Sequence, residues 1–195
     1  MEPDSQHWQP TLLTQTERRF LLRRARDAIA AALRSQALAP ADDPTPSLLT
    51  PAGVFVSLHR FGELRGCVGT LTADRPLHDT VERIAVAAAF DDPRFPPLSE
   101  AELADTEIEI SRLGPLIPTR AVDVVVGRDG VCVARGDARG VLLPQVAGHH
   151  GWDRERLLDE VCRKAYLPGD TWREPDCEIL RFTAEIFGDG DEGAG

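Results

Sequence analysis

The hydrophobic positions change period along the chain. Leu21, Ala25, Ala28, Ile29 and Ala32 recur at helical spacing, and Thr14 with Glu17 forms a capping-box pattern ahead of them. A first helix is expected over about 15–36. The stretch "LAPADDPTPSLLTP" is rich in proline and acid and reads as a loop. From Gly53 the apolar period drops to two, and "GVFVSLHR" and "ELRGCVGTL" flank Phe61-Gly62 as a β-hairpin. Pro76 opens a second helix whose Leu77, Val81, Ile84, Ala85 and Ala88 share one face. The prolines of "FDDPRFPP" end it. Ser99 and Glu102 repeat the capping box and predict a short helix to about 104.

Further on, "TEIEISRL" alternates as a half-buried strand does. "VDVVVGRDGVCVAR" reads as a second hairpin with its turn at 127–130, and "GVLLPQV" as a short buried strand ended by Pro144. Asp153 caps a helix running to about 165, which "YLPGDTW" breaks. Leu180, Phe182, Ala184 and Ile186 mark one face of a single closing strand. Strands that come mostly in hairpins, interleaved with helices, favour an α+β fold with antiparallel sheets over a parallel α/β sheet. Residues 11–188 form the expected domain, between a loose tail over 1–10 and a flexible acidic tail over 189–195.

Composition narrows the function. A chain of 195 residues, 42% hydrophobic and 28% charged, suits one globular domain or two small lobes sharing a core. It has no run of about 18 apolar residues and no secretory signal pattern at its N-terminus, so a cytoplasmic protein without a membrane partner is expected. The net charge of −10 argues against nucleic acid. The five arginines of "ERRFLLRRAR" read as the solvated face of the first helix. Cys67, Cys132, Cys162 and Cys177 show no CxxC spacing and no His/Cys ladder, so neither a structural zinc nor a disulfide is expected. Each cysteine then defaults to a small buried hydrophobe unless its surroundings argue otherwise.

Cys67 has such surroundings. Strand alternation puts Arg65 and Cys67 on one face. A two-residue turn pairs Cys67 with Val56 and Arg65 with Leu58, as befits a structural cysteine. A one-residue bulge turns them instead toward Ser57 and His59, bringing a base near the thiol. Gly66 and Gly69 would let a ligand approach the backbone, where their N–H groups could hold an anion beside the Arg65 guanidinium. That charge would also favour a thiolate. The alternative is that both glycines serve a bulge or close helix packing. The loop "DDPRFPP" offers Asp91, Asp92 and Arg94 on a stiffened chain, or else merely terminates a helix above a buried Phe95. His149 and His150, near Gln145, could bind metal or move protons, but lack the spacing of a metal site and read as surface residues. Trp152 is expected to staple the following helix.

The blocks "GVFVSLHRFGELRGCVGTL", "AAAFDDPRFPPLSEAEL", "TEIEISRLGP", "RGVLLPQVAGHHGWDRERLLDEVCRKAYLP" and "EILRFTAEIF" together resemble the AMMECR family, whose prokaryotic members are also called AmmeMemoRadiSam system protein A. The resemblance runs from the first helix to about Phe187. It implies two unequal lobes with a cleft between them, the larger lobe built from both chain ends. It also implies association with a Memo-like protein and a radical S-adenosylmethionine protein, in a pathway whose reaction is not settled. The family's functional centre falls on Arg65, Gly66 and Cys67, with the Asp92 to Pro97 block beside it. Under this reading Cys67 is nucleophile or thiol carrier and Arg65 lowers its pKa. Gly66, Gly69, Asp92, Arg94 and Gln145 bind substrate, and no metal or cofactor enters. The alternative is a non-enzymatic adaptor that recognises a protein partner through the same strand and loop. Two departures from the family pattern stand out: "GHHG" replaces an acidic or aromatic position, and Tyr166 stands where glycine is common.

Overall fold

The computed structural model describes residues 12–193. The expected N-terminal tail lies outside them. Two four-stranded sheets, with every strand pair antiparallel, carry the described chain. The first has the order β2-β1-β3-β8, from β1 (Val54–Arg60), β2 (Glu63–Thr70), β3 (Thr106–Leu113) and β8 (Ala184–Gly188). The second has the order β4-β7-β5-β6, from β4 (Ile117–Pro118), β5 (Gly130–Arg135), β6 (Ala138–Leu142) and β7 (Glu178–Phe182). The mixed helix and sheet architecture expected from the pattern is therefore present.

Each sheet has its own core. Helices α1 (Gln15–Leu33) and α3 (Leu77–Phe90) bury Leu21, Ile29, Val81 and Ile84 against Val56, Leu58, Ile108 and Ile110 of the first sheet. Leu13 and Phe187 join this core, so both ends of the described chain build it. Helix α6 (Arg154–Lys164) buries Leu157, Leu158 and Val161 against Val131, Val133 and Ile179 of the second. The capping boxes at Thr14–Glu17 and Ser99–Glu102 both form, the latter opening α4 (Glu100–Leu103), and the Asp153 side chain caps α6 by accepting from Arg156 N.

Several expectations need correction. The 38–51 loop contains a short helix, α2 (Pro46–Leu49), with Pro46 at its first turn. "VDVVV" is not a strand: Ala121–Asp123 forms a single 3₁₀ turn, and β5 pairs instead with β6 across Gly136-Asp137. Pro144 ends β6 but also starts α5 (Pro144–His150), because a residue without an N–H suits the first position of a helix. The single closing strand is two. It leaves the second sheet at Phe182 and enters the first at Ala184, and the residues it gives to the two cores are Ile179 and Phe187 rather than the expected Ala184 and Ile186, which are only half-buried.

The acidic tail is anchored where it begins. Asp189 accepts from Arg26 and from the Ile108 N–H, and Asp191 from the Gly188 N–H. The arginines of α1 are likewise more than a solvated face. Arg24 is 8% exposed and pairs with Glu82, Arg26 spans Leu103 O, Thr106 O and Asp189, and Arg18 pairs with Glu185. Tyr166, 98% exposed, sits just after α6 with φ of 59°, the left-handed region that favours glycine. No helix among the described residues is long and apolar enough to cross a membrane.

Candidate functional site

The first hairpin takes the bulged register. Ser57 faces Cys67 and Leu58 faces Gly66, but His59 faces Leu64, so Arg65 is the extra residue. The group brought to the thiol is consequently a hydroxyl: Ser57 Oγ donates to Cys67 Sγ at 3.3 Å. Ser57 also faces Glu109 on β3. Cross-strand partners share a face, so Cys67, Ser57 and Glu109 form one row across three strands. Cys67 is half-buried and unpaired.

Strand β2 is an edge, with backbone groups that need partners. The loop after α3 supplies them. Asp92 Oδ2 accepts the Cys67 N–H at 2.8 Å, and Arg94 donates to the Cys67 carbonyl at 3.2 Å. Arg94 is in turn clamped to Asp92 by side-chain bonds of 2.9 and 2.7 Å and by its own N–H at 3.1 Å. The pair thus closes the edge at Cys67 as an added strand would. The buried Asp92 carboxyl is held well below the usual carboxylate range, chiefly by the Arg94 hydrogen bond, with burial opposing and the Cys67 N–H assisting.

Arg65 is committed elsewhere. It meets both oxygens of Glu102, at 3.0 and 3.3 Å, and reaches the Pro97 carbonyl at 3.4 Å. The Arg65 hydrogen bond is the largest influence bringing Glu102 down to about 2. Phe95, half-buried rather than buried, lies within 6.0 Å of the Arg65 guanidinium and 5.5 Å of Arg94, so its ring face serves both cations. The guanidinium at the thiol is that of Arg94, and the presence of Cys67 helps to hold Arg94 charged after the larger effect of Asp92.

Both glycines have packing reasons. A Cβ on Gly66 would come 2.2 Å from the Ala88 carbonyl oxygen of α3, and one on Gly69 would come 2.2 Å from the Phe55 ring. Gln145 lies in the first turn of α5, where its Oε1 is shielded from solvent and has no hydrogen-bond partner among the described residues. His149 and His150 are exposed, the His150 ring stacks on Trp152 at 4.5 Å, and neither joins a metal-spaced group among the described residues. Trp152 packs on the second core, as a staple should.

Lys164, at the end of α6, carried no sequence signal. It is exposed overall, yet local desolvation lowers its pKa, with the neighbouring Cys67 opposing and the charge of Arg94 adding. An amine from the helix on the second sheet therefore joins the electrostatics of a thiol on the first. A hollow of about 220 Å³ lined by His59, Glu107, Glu109 and Phe187 adjoins the same row, whereas the larger hollow of about 400 Å³ at Val122, Arg154 and Trp172 contains none of the expected site residues.

These features define an α+β protein with a cysteine on a bulged, loop-capped edge strand. The chain belongs to the AMMECR1 family, whose model matches residues 22–187. A protein of Methanothermobacter thermautotrophicus is 43% identical over 183 residues, covering 90% of this chain and 95% of its own length. One of Thermococcus gammatolerans is 42% identical over 180 residues, covering 86% and 88%. The crystal structure of the uncharacterised protein PH0010 from Pyrococcus horikoshii superposes with a TM-score of 0.86 at 39% identity, covering 90% of this chain and 93% of that one.

Proposed function

We propose that Cys67 is the nucleophile or thiol carrier of this chain and acts on a substrate bearing an anionic group. The observation that carries the reading is the hydrogen-bonded unit of Cys67, Ser57, Asp92 and Arg94, which fixes a half-buried thiol beside a guanidinium that is still 56% exposed. Arg94 and Lys164 supply the positive field for the anion, and the Ser57 hydroxyl supplies a hydrogen bond to the sulfur. Arg65 acts at one remove by holding Glu102 and the Pro97 turn, and so the loop that carries Arg94. Gly66 and Gly69 hold the strand close to α3 and Phe55, and Gln145 offers an unsatisfied amide oxygen to a substrate. Family resemblance adds a Memo-like protein and a radical S-adenosylmethionine protein as partners, a cleft between two lobes as the setting, and the cytosol as the place where thiols stay reduced.

Alkylation tests this directly. Native Cys67 is expected to react with iodoacetate and with neutral iodoacetamide, and Arg94→Gln or Lys164→Gln should lower the iodoacetate rate about three- to tenfold while moving the iodoacetamide rate less than about twofold. A Cys67 inert to both reagents until unfolding would sink the nucleophile.

A second reading has its own observation. Asp92 and Arg94 are largely spent on closing the strand edge, which suits a rigid recognition surface as well as a reactive one. In the adaptor reading the Asp92 to Pro97 loop docks a protein partner, Arg94→Glu weakens that docking, and the thiol stays unreactive.

A further inference from the structure

We infer that His78, Asp79 and Glu82, in the first turns of α3, form a site for a first-row divalent cation of the Zn²⁺ type. His78 is only 8% exposed, and its Nδ1 is shielded from solvent with no hydrogen-bond partner among the described residues. That nitrogen lies 3.1 Å from Asp79 Oδ1 and 3.8 Å from Glu82 Oε1. Without a hydrogen aligned between nitrogen and oxygen, the arrangement sets a buried polar atom against two carboxylates, which costs free energy unless a positive charge stands between them.

A metal ion answers that geometry. Bonds of about 2.0–2.1 Å at tetrahedral angles separate ligand atoms by about 3.3 Å and aim the imidazole lone pair at the ion rather than at the neighbouring oxygen. A short separation that is not a hydrogen bond follows naturally. One donor atom from each of the three residues already lies within 4.8 Å of the others, and side-chain rotation closes the rest.

The surroundings add an outer partner and an entrance. The buried Arg24 on α1 holds Glu82 Oε1 at 2.6 Å and the Ala39 carbonyl at 2.9 Å, orienting the carboxylate as outer-shell partners of metal ligands do. Two carboxylates against one guanidinium leave the pocket negative before an ion enters. Asp79, whose side chain is 45% exposed, opens it to solvent. One imidazole with two carboxylates suits Zn²⁺, Co²⁺ or Mn²⁺ better than the all-oxygen preference of Mg²⁺ or Ca²⁺. Such an ion would tie the start of α3 to α1 through Arg24, at the opposite end of the helix from the Asp92 loop, and so would stabilise rather than react.

The full chain, stripped with a chelator and dialysed, should be titrated with ZnCl₂ by calorimetry and followed in thermal unfolding. One ion per chain and a raised Tm are expected, with affinity weakened at least about tenfold in Asp79→Asn and in His78→Gln and unchanged in Cys67→Ser. Asp79 is exposed enough that its variant folds, which keeps the test sound if His78→Gln does not. The site is overturned by absence of saturable binding, by binding that Cys67→Ser abolishes, or by an Asp79→Asn affinity within about twofold of the parent.

Discussion

The two hairpins of the chain are built alike and surround their cysteines differently. Gly66 on β2 admits the Ala88 carbonyl of α3, and Gly140 on β6 admits the Val161 carbonyl of α6, each to where a Cβ would stand 2.2 Å from the oxygen. In both, a missing side chain lets a helix settle on the strand. The β5–β6 register then runs unbroken from Val131 to Arg135, and Cys132 is fully buried, its thiol pushed up by desolvation. The β1–β2 register breaks between Leu58 and His59, and Cys67 emerges half-buried against a serine, an aspartate and an arginine. The difference lies in one extra residue and one polar loop, because an edge strand can recruit side chains to its backbone where a central strand cannot.

The likeness is the easier half to break. Gly66→Ala and Gly140→Ala each force a methyl group into a helix carbonyl that cannot rotate away, and each should cost about 3 kcal/mol or more. Urea unfolding of the two variants measures this directly. Comparable losses confirm that the glycines do the same work; a tolerated Gly66→Ala would mean that α3 can lift from β2, and would free that glycine for another role.

The unlike half turns on Asp92 and on acid. Its carboxyl and that of Glu102 are both lowered in the folded chain, chiefly by Arg94 and Arg65 respectively. A lowered folded pKa means that the stabilisation is fully present above the unfolded values of 3.8 and 4.5, and is lost as pH falls toward the folded ones. Stability should therefore fall below about pH 4.5, each carboxylate adding at most about 1.4 kcal/mol per pH unit. Asp92→Asn should flatten the slope and cost about 2 kcal/mol at neutral pH, since the Arg94 clamp is lost while the Cys67 N–H keeps an acceptor. An unchanged slope, measured by denaturant titration from pH 6 down to the acid limit, would show that the loop is not holding the edge.

Local chemistry was readable before the fold was known, and tertiary consequences were not. Thr14, Ser99 and Asp153 announce helix starts because a cap is made within three residues. The Phe61-Gly62 turn announces the hairpin but leaves two registers open, and only the packed sheet selects the bulge. Alternation from Leu180 to Ile186 continues unbroken while the chain changes sheets at Thr183, so nothing in the period marks the exchange. Pro144 ends one element and starts the next, and reading only the first meaning misses α5. Of the candidate centre, Cys67 and the Asp92–Arg94 loop were legible from their residue types and do come together. Lys164 was not, because its electrostatic coupling to Cys67 and Arg94 comes from a helix that packs on the other sheet.

The smallest test concerns the hairpin tips. The second hairpin starts its turn with Gly136 at φ of 57°, but the first places Phe61 there at φ of 54°, followed by Gly62 at 80°. A β-carbon in the left-handed region costs about 1 kcal/mol, and Asn-Gly is the sequence such a turn prefers. The Phe61 ring is 78% exposed, and its main compensation is the Arg60 guanidinium 4.9 Å from its centre, worth about 0.5 kcal/mol at such a site. Phe61→Asn should therefore raise stability by about 0.5 kcal/mol in urea unfolding, with the register and Cys67 reactivity unchanged. If stability falls instead, the Phe61–Arg60 contact outweighs the backbone strain and the tip is held by its side chains. If it rises as expected, the exposed phenyl ring is retained at a cost to folding, which directs the search for its contacts to surfaces outside this chain.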